Sequence, residues 1–308
     1  MLGRKVGDAI RERGPKSLVA PEVVEICRSS DLFVLNLECC ISERGEPWPD
    51  PRKPFFFRAP PAAVETLADL GVDCVTLANN HALDYGEEAL LDTLDHLRDA
   101  GIAVVGAGED EEEARRPAVL ESGGLRLAVV GFADYPRAFA AARGRPGIAF
   151  ADLKRRLPAW LLSTIDSVEA DAVLVSPHWG PNMRSEPVPT VREAAQRLRQ
   201  AGSTLVAGHS AHVFYGVEGP VLYDLGDFVD DYAVDPVLRN DLGLLFRVTL
   251  DASGPVALEA VPLKLHFCHT ALAEGDEAAW IRRRFRAACA AFGTDVAEVG
   301  GRLTVSWR

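Results

Sequence analysis

Six side chains that can bind a metal ion or transfer a proton follow four apolar runs of the sequence. They are Glu38 after DLFVLNL, Asn80 and His81 after VDCVTLA, His178 after DAVLVSP, and His209 and His212 after STLVAG. Each of them alone also fits a structural role, because polar residues at strand ends commonly hydrogen-bond a loop. In open α/β sheets, however, ligands bind outside the carboxyl ends of the strands. Four such ends together therefore favour one joint site.

The types of ligand atom indicate which metal ion the site would bind. Imidazole nitrogens, an amide oxygen and a carboxylate together suit a divalent transition ion such as Mn²⁺, Fe²⁺ or Zn²⁺. No thiolate belongs to the set, and the six cysteines form no C-x-x-C pair. A closed structural zinc site is therefore disfavoured, and an open catalytic site with one or two ions is predicted.

The other three histidines are predicted to be structural. His96 lies on a predicted helix one turn after Asp92, which is typical of a surface pair. His266 and His269 have an H-x-x-H spacing that can bind a metal ion, but the surrounding KLHFCHTALAEG segment offers no acidic partner close to them. Neither pattern favours a second metal site.

Apolar runs alternate with segments of helical periodicity up to residue 208. VDCVTLA and LRLAVVGFA predict strands, whereas EEALLDTLDHLRDAG predicts a helix. PPAAVETLADLG begins with proline and ends with glycine, as helices commonly do. Beyond residue 208, short runs split by Gly and Pro predict antiparallel strands, and a last helix is predicted over 275–291. The pattern indicates an α/β fold with an added antiparallel sheet.

Composition excludes several classes of partner. The net charge is −12 and the pI is about 5.1, which disfavours binding to nucleic acid or to an anionic membrane. No stretch approaches the roughly 18 apolar residues that span a bilayer, and the polar N-terminus lacks the apolar core of a signal peptide. The cysteines are predicted to be buried free thiols of a reducing compartment. We therefore expect a cytoplasmic protein without a membrane segment, acting on a small molecule or a polymer.

The loop GEPWPDPRKPFFFRAPP, residues 45–61, is rich in proline and carries four aromatic side chains. Proline restricts the backbone, so the loop is predicted to be ordered. Its aromatic residues suggest a lip over the site.

Seven stretches of the chain match one family in order and spacing. They are MLGR (1–4), NLE (36–38), FRAPP (57–61), LANNHALDYG (77–86), HWG (178–180), GHSAH (208–212) and YDLGDF (223–228). On these motifs the chain resembles the bacterial capsule-synthesis (CapA) or poly-γ-glutamate synthesis (PgsA) family, which is related to calcineurin-like metallophosphoesterases. The resemblance implies a metallophosphatase-like layered α/β/β/α sandwich with a C-terminal antiparallel sheet. It also implies a single domain over 1–308, with a core over about 1–265 and a helical extension over 266–308.

The resemblance further implies a role for each metal ligand. Glu38 would bridge two metal ions, and Asn80, His178 and His209 would complete the shell of the second ion. His212 would bind the first ion.

The LANNHALDYG segment would also supply the catalytic pair. By the same resemblance, His81 would face the substrate instead of binding metal, stabilising charge or protonating the leaving oxygen. Asp84 would orient it. Arg4, Arg58 and Asn79 are predicted to contact the substrate.

The chain departs from the family pattern at its start. The family has a strand ending in Gly-Asp shortly before MLGR, and that Asp is a ligand of the first metal; here the sequence starts with the motif itself, at Met1. Either the native protein has an upstream strand, or it binds one metal through Glu38, Asn80, His178 and His209. Asp227 also stands where Asn is common, and Ala211 where Pro is common.

Three functions remain open from the sequence. The first is a metal-dependent hydrolase that cleaves a phosphoester through a metal-activated water. The second is amide-bond chemistry or an accessory role in making a γ-glutamyl polymer, capsule or related peptide. The third is a non-catalytic relative that binds a polymer. Fold and ligands alone do not specify the reaction.

Overall fold

A computed structural model describes all 308 residues and contains eight α-helices and eighteen β-strands. The helices are α1 (Arg4–Arg13), α2 (Pro21–Arg28), α3 (Ala63–Leu70), α4 (Gly86–Asp99), α5 (Glu111–Ala114), α6 (Ala159–Ser167), α7 (Pro189–Gln200) and α8 (Gly275–Ala290). None of the helices combines the length and the apolar composition that a membrane crossing requires.

The strands divide between parallel and antiparallel sheets. They are β1 (Val34–Asn36), β2 (Cys40–Ile41), β3 (Arg58–Ala59), β4 (Cys74–Thr76), β5 (Ala103–Val105), β6 (Ala107–Gly108), β7 (Ala118–Ser122), β8 (Leu125–Ala133), β9 (Gly147–Ile148), β10 (Ala172–His178), β11 (Leu205–Ala207), β12 (Val217–Glu218), β13 (Val221–Leu222), β14 (Leu242–Asp251), β15 (Gly254–His266), β16 (His269–Leu272), β17 (Ala297–Val299) and β18 (Arg302–Ser306). The predicted α/β fold class with an added C-terminal antiparallel sheet is confirmed.

Two sheets with parallel strands carry the strand ends that the sequence singled out. A three-stranded sheet has the order β1-β4-β5, and all of its pairs are parallel. A six-stranded sheet has the order β12-β13-β11-β10-β8-β7, and its central strands β13, β11, β10 and β8 are parallel. Parallel strands align their carboxyl ends at one edge, so this topology gathers residues that follow different strands.

Apolar packing covers both faces of the six-stranded sheet. Leu161 of α6 and Leu198 of α7 belong to a core that includes Val175 of β10. On the other face, Leu174 belongs to a core shared with the antiparallel sheet and with Phe285 of α8. This arrangement holds β10 and β11 between helices and a second sheet, and it fixes the position of their ends.

Helix ends in the first half follow local sequence signals. α3 begins just after Pro60 and Pro61 and is followed by Gly71 at φ 74°, a left-handed conformation that favours glycine. The Gly71 N–H bonds back to the carbonyl of Ala68, and Val72 then leads into β4. The prolines and the glycine therefore set the length of the connection that delivers β4.

Residues 266–308 differ from the predicted helical extension. They contain α8, but β16, β17 and β18 lie there as well, and β18 pairs with β15 in the antiparallel sheet. Leu303 and Val305 of β18 are buried in the core beneath that sheet. The short run RLTVS is the sequence signal for β18. The prediction of a helical extension did not take this run into account.

Because β18 is part of the core, Leu303→Ala should lower the free energy of unfolding by about 2–5 kcal/mol, as the buried side chain leaves a cavity. Val299→Ala in the same hairpin is the control, since Val299 is 66% exposed. Its effect should stay within about 0.5 kcal/mol. Denaturant unfolding measures both variants, and equal small effects would show that the hairpin does not contribute to the core.

Candidate functional site

The carboxyl ends of the two parallel sheets meet at one place. β1 and β4 lead into Glu38 and His81, while β10 and β11 lead into His178 and His209. Glu38 Oε1 lies 3.8 Å from His81 Nε2 and 3.8 Å from His178 Nε2. His178 and His209 are joined by a parallel β-bridge, and Ser176 Oγ lies 3.1 Å from His209 Nε2. The structure thus brings side chains from four strand ends together.

Three buried polar atoms at this meeting point have no hydrogen-bond partner. They are Glu38 Oε1, Asn80 Oδ1 and His178 Nδ1. An unpaired buried polar atom costs about 1–3 kcal/mol, so such atoms are rare in folded proteins. A carboxylate, an amide oxygen and an imidazole are metal ligands that suit a divalent transition ion. No three His, Cys, Asp or Glu side chains are close enough to enclose an ion, so binding one requires side-chain adjustment.

The two histidines from the six-stranded sheet are suited to ligate a metal at neutral pH. Burial lowers the pKa of His178 well below its ordinary value, and His209, His212 and His81 lower it further. Burial also lowers the pKa of His209 to about 4, although the charge of Asp227 opposes the shift. Both imidazoles are therefore neutral near pH 7, which leaves a nitrogen lone pair available.

His212 is held differently. Its Nδ1 lies 2.9 Å from Asp227 Oδ1, which leaves Nε2 for another partner. Burial alone would lower the pKa of His212, but the Asp227 carboxylate raises it to about 10. A carboxylate on the far nitrogen of a histidine fixes its ring orientation and raises its basicity as a ligand. Asp227 therefore orients His212.

His81 forms a tightly held pair with Asp84. His81 Nδ1 lies 2.6 Å from Asp84 Oδ2, and the Phe57 backbone N–H donates to the same oxygen at 2.6 Å. The other carboxylate oxygen lies 2.8 Å from Lys53 Nζ. The imidazole also stacks on the Phe57 ring, with the centroids 3.8 Å apart. These contacts fix the ring and direct Nε2 toward Glu38.

A cavity of about 740 Å³ opens onto His81 and Asn80, and we call it the cleft. Part of its wall comes from the proline-rich loop 45–61, which contributes Trp48, Lys53, Phe55 and others. Facing residues come from the segments 135–139, 182–183 and 232–233. The loop therefore lies beside the site and supplies an aromatic wall, as a lip over it would.

Lys53 lines the cleft and was not singled out by the sequence analysis. Its side chain is 14% exposed, and its Nζ donates to the Asn80 carbonyl at 2.8 Å in addition to its contact with Asp84. It joins the loop to the tip of β4 and offers the only lysine in the cleft lining. The dipeptide Arg52-Lys53 within an aromatic, proline-rich loop is the signal that could have identified it.

The structure gives Asn79 a structural position in place of the expected substrate contact. Asn79 is fully buried, and its Nδ2 donates to Asn36 Oδ1 at 3.0 Å and to the Leu37 carbonyl at 2.9 Å. Its Oδ1 accepts from the His81 backbone N–H at 3.0 Å. Asn79 thus ties the ends of β1 and β4 together and does not line the cleft.

The predicted substrate arginines also lie outside the cleft lining. Arg4 pairs with Asp231 at 3.2 Å and lies over the rings of Phe55 and Phe57, behind the aromatic wall. Arg58 stacks on Tyr85 with its Cζ 4.0 Å from the ring centroid and donates to loop carbonyls. Both side chains position the loop, and neither points to a substrate contact.

A smaller cavity of about 120 Å³ lies on the other side of Glu38 and His212. Residues 33–36 of the β1 segment and 244–246 of β14 line it, and each of these strands has a sheet neighbour on one side only. The expectation that an additional strand precedes Met1 stays a prediction.

The two C-terminal histidines and the cysteines lie outside the site and have structural positions. His269 Nδ1 lies 2.9 Å from the Ser17 carbonyl, and its ring centroid is 6.3 Å from that of His266. All six cysteines are free and buried. Burial raises the pKa of the Cys39 thiol to about 11, so it is not a reactive thiolate at neutral pH.

By its structure this protein belongs to the class of layered α/β folds, with histidines and a carboxylate at one sheet edge. Its family follows from the sequence comparison. The family model described as bacterial capsule synthesis protein PGA_cap matches residues 1–232. The chain belongs to this family, which confirms the resemblance seen in its motifs.

Relatives named for polymer or capsule synthesis come from Mycobacterium and Bacillus. A "Probable polyglutamine synthesis accessory protein" of Mycobacterium tuberculosis is 35% identical over 288 residues, covering 87% of this chain and 75% of the relative. The PGA biosynthesis protein CapA of Bacillus subtilis is 29% identical, covering 86% of this chain and 70% of the relative. The capsule biosynthesis protein CapA of Bacillus anthracis is 27% identical, covering 86% and 65%.

Similarity to solved structures is weaker. A hypothetical protein from Thermus thermophilus has 18% identity and a TM-score of 0.48, covering 81% of this chain and 96% of its own. A novel phosphatase from Mycoplasma pneumoniae has 12% identity and a TM-score of 0.44, covering 83% and 89%. Both TM-scores are too low to support a conclusion about activity.

The structural position of Asn79 can be tested by Asn79→Ala. The change leaves Asn36 Oδ1, the Leu37 carbonyl and the His81 N–H unpaired in a buried place, so we expect a loss of about 2–4 kcal/mol in the free energy of unfolding. Asn182→Ala is the matched control, because Asn182 is exposed at the cleft. Unfolding of both variants in urea gives the comparison. If Asn79→Ala leaves the free energy of unfolding unchanged, the structural role is wrong and the predicted substrate contact stands.

Proposed function

We propose that this chain is a metal-dependent hydrolase that cleaves a phosphoester. The observation that supports it most is the set of unpaired buried atoms on Glu38, Asn80 and His178 beside the His81–Asp84 pair. Neither feature alone implies catalysis, but a desolvated ligand set next to an oriented imidazole at the bottom of a cleft fits this chemistry.

Glu38, Asn80, His178 and His209 would hold one divalent transition ion, Mn²⁺, Fe²⁺ or Zn²⁺. His212 Nε2 would contribute to a second ion after giving up its proton, with Asp227 fixing the ring. A bound ion supplies a water of lowered pKa and charge that stabilises the phosphoryl oxygens.

His81 is the proton donor of this proposal. Asp84 accepts the Nδ1–H and stabilises a protonated imidazole, which donates its Nε2 proton to the leaving oxygen. Lys53 lies against the second oxygen of the Asp84 carboxylate and balances its charge beside His81. Phe57 keeps the ring in plane through stacking.

The cleft restricts which esters reach His81. Trp48 and Phe139 pack edge to face with centroids 4.8 Å apart, and both line the cleft with Tyr135 and Phe55. This wall favours a substrate with an apolar or planar portion and excludes water from the reacting centre.

A role in polymer or capsule synthesis is the second candidate, and the names of the relatives favour it. Under it, the same site would act on an amide bond or serve an accessory function. Assays of the purified protein on phosphomonoesters, phosphodiesters and γ-glutamyl amides distinguish these chemistries. Hydrolysis of the amides alone would replace the phosphoester proposal.

Metal content tests the ligand set directly. Wild-type protein purified without chelator should contain about one or two transition ions per chain by elemental analysis. His178→Ala should lose most of this metal, because the change removes a neutral buried ligand. His266→Ala is the control and should keep the metal, since His266 is exposed. A wild-type protein without metal would favour a non-catalytic, polymer-binding role.

The proton-donor role predicts a different result for His81. His81→Gln should lower kcat for phosphoester hydrolysis by about 10²–10⁴-fold while metal content stays at the wild-type level. Steady-state kinetics and elemental analysis on the same preparation measure both quantities. Loss of metal in this variant would make His81 a ligand, and an unchanged kcat would remove it from the chemistry.

A further inference from the structure

Two aromatic side chains of the cleft have no aromatic partner within the protein. Phe55, from the proline-rich loop, is 54% exposed, and Tyr135, from the segment 135–139, is 65% exposed. The Arg4 Cζ lies 5.2 Å from the centroid of the Phe55 ring and covers one of its faces. The other face of Phe55 and the ring of Tyr135 are open to a ligand in the cleft.

The other aromatic side chains of the cleft are packed against one another. Trp48 and Phe139 meet edge to face, with centroids 4.8 Å apart. Phe57 stacks on His81 and has its centroid 6.1 Å from that of Tyr232. Exposed apolar surface within a concave site is typical of a place where a ligand binds. The two unpaired rings are therefore the part of the wall that is suited to contact a substrate.

The floor of the cleft decides which half of an ester lies beside these rings. His81 and Asn80 belong to the lining, whereas Glu38 and His178 lie beyond it. In the proposed hydrolysis a water oxygen bonds phosphorus, and the bond from phosphorus to the alcohol oxygen breaks. That oxygen keeps the electron pair and takes the His81 proton, while the proton lost by the water passes to solvent. The alcohol half of the ester therefore extends from His81 into the cleft.

The charges of the lining indicate that this alcohol is neutral. Each lysine, arginine or charged histidine around the cleft already has a carboxylate partner. The pairs are Arg52–Asp50 at 3.3 Å, Lys53–Asp84 at 2.8 Å and His212–Asp227 at 2.9 Å. An anionic leaving group would have to displace one of these carboxylates or lie beside apolar rings without a counter-charge, which is unfavourable. The cleft therefore favours an alcohol without charge.

We propose that the substrate is a phosphoester of an uncharged aromatic alcohol, whose ring packs against Phe55 and Tyr135. This inference rests on the proposed hydrolysis, because it assigns the leaving group of that reaction. The cleft volume of about 740 Å³ is sufficient for a ring system beside the phosphoryl group. Aromatic rings attract one another in offset or edge-to-face arrangements, a preference that a saturated ring does not share. Phe55 and Tyr135 are therefore specificity-determining residues.

The kinetic test compares benzyl phosphate with cyclohexylmethyl phosphate on the intact protein, purified without chelator. Both esters release a primary alcohol of similar size and basicity, so they differ mainly in whether the ring is aromatic. The kcat/KM for benzyl phosphate should be higher by about fivefold or more, as two aromatic contacts provide. A wall that selects only for apolar character would give equal values or favour the cyclohexylmethyl ester. Either of these results would overturn the proposal.

Two variants assign the preference to the proposed side chains. Phe55→Leu and Tyr135→Leu each remove a ring and keep an apolar side chain. Each should raise KM for benzyl phosphate by about twofold or more and reduce its advantage over the cyclohexylmethyl ester. Phe267→Leu is the matched control, since Phe267 is 66% exposed between β15 and β16 and lies outside the cleft lining. A preference that persists in both cleft variants would contradict the assignment.

Binding of the alcohols alone separates this inference from the hydrolysis. In ligand-detected NMR titrations, benzyl alcohol should bind the wild-type protein more tightly than cyclohexylmethanol, and Phe55→Leu should lose most of that difference. This result without hydrolysis of any phosphoester would refute the proposed reaction and support the aromatic contact. Hydrolysis of both esters without any aromatic preference would support the reaction and refute the contact. A higher kcat/KM for 4-carboxybenzyl phosphate than for benzyl phosphate would overturn the assignment of an uncharged alcohol.

Discussion

The buried carboxylate of Glu38 is the constraint on which the rest of the site depends. It is 6% exposed, and the His81 and His178 Nε2 atoms lie 3.8 Å from its Oε1, beyond hydrogen-bond length. Burying a charge without a partner is strongly unfavourable. Pairing of β1 with β4, together with the Asn79 contacts to both strand ends, prevents the backbone from moving Glu38 back to solvent. The fold therefore holds a negative charge at a place where a cation would complete the structure.

Two carboxylates close to Glu38, in contrast, are paired with an imidazole or an ammonium group. Asp84 has Lys53 and His81 as partners, and Asp227 has His212. These pairs use the carboxylates to fix imidazole rings and leave the Nε2 nitrogens facing inward. Asp84 and Asp227 thus orient imidazole rings, whereas Glu38 Oε1 has no hydrogen-bond partner and is suited to bind an ion. Membership of the capsule synthesis family agrees with such a site but does not determine its reaction.

Much of the fold could be predicted because its signals are local. Apolar runs and helical periodicity marked β4, β8, β10 and α4, and proline and glycine marked the ends of α3. The C-terminal segment could not be predicted as well, because β17 and β18 are short strands. β18 pairs with β15, which lies before α8 in the chain, and β17 pairs with β18. A strand of this kind has no strong local preference, and its structure depends on the edge it joins.

The sequence by itself determined which residue types stand at the strand ends, because strand periodicity and the polar residues that follow it are local properties. It could not separate Asn79 from Asn80, since their roles depend on which side chain turns toward the β1 end and which toward the cleft. It also could not assign Lys53, Arg4 or Arg58, because a cation in a loop gains its partner only when distant segments pack. Tertiary structure alone decided those pairings. Contacts between segments far apart in the chain carry no local pattern that a sequence can display.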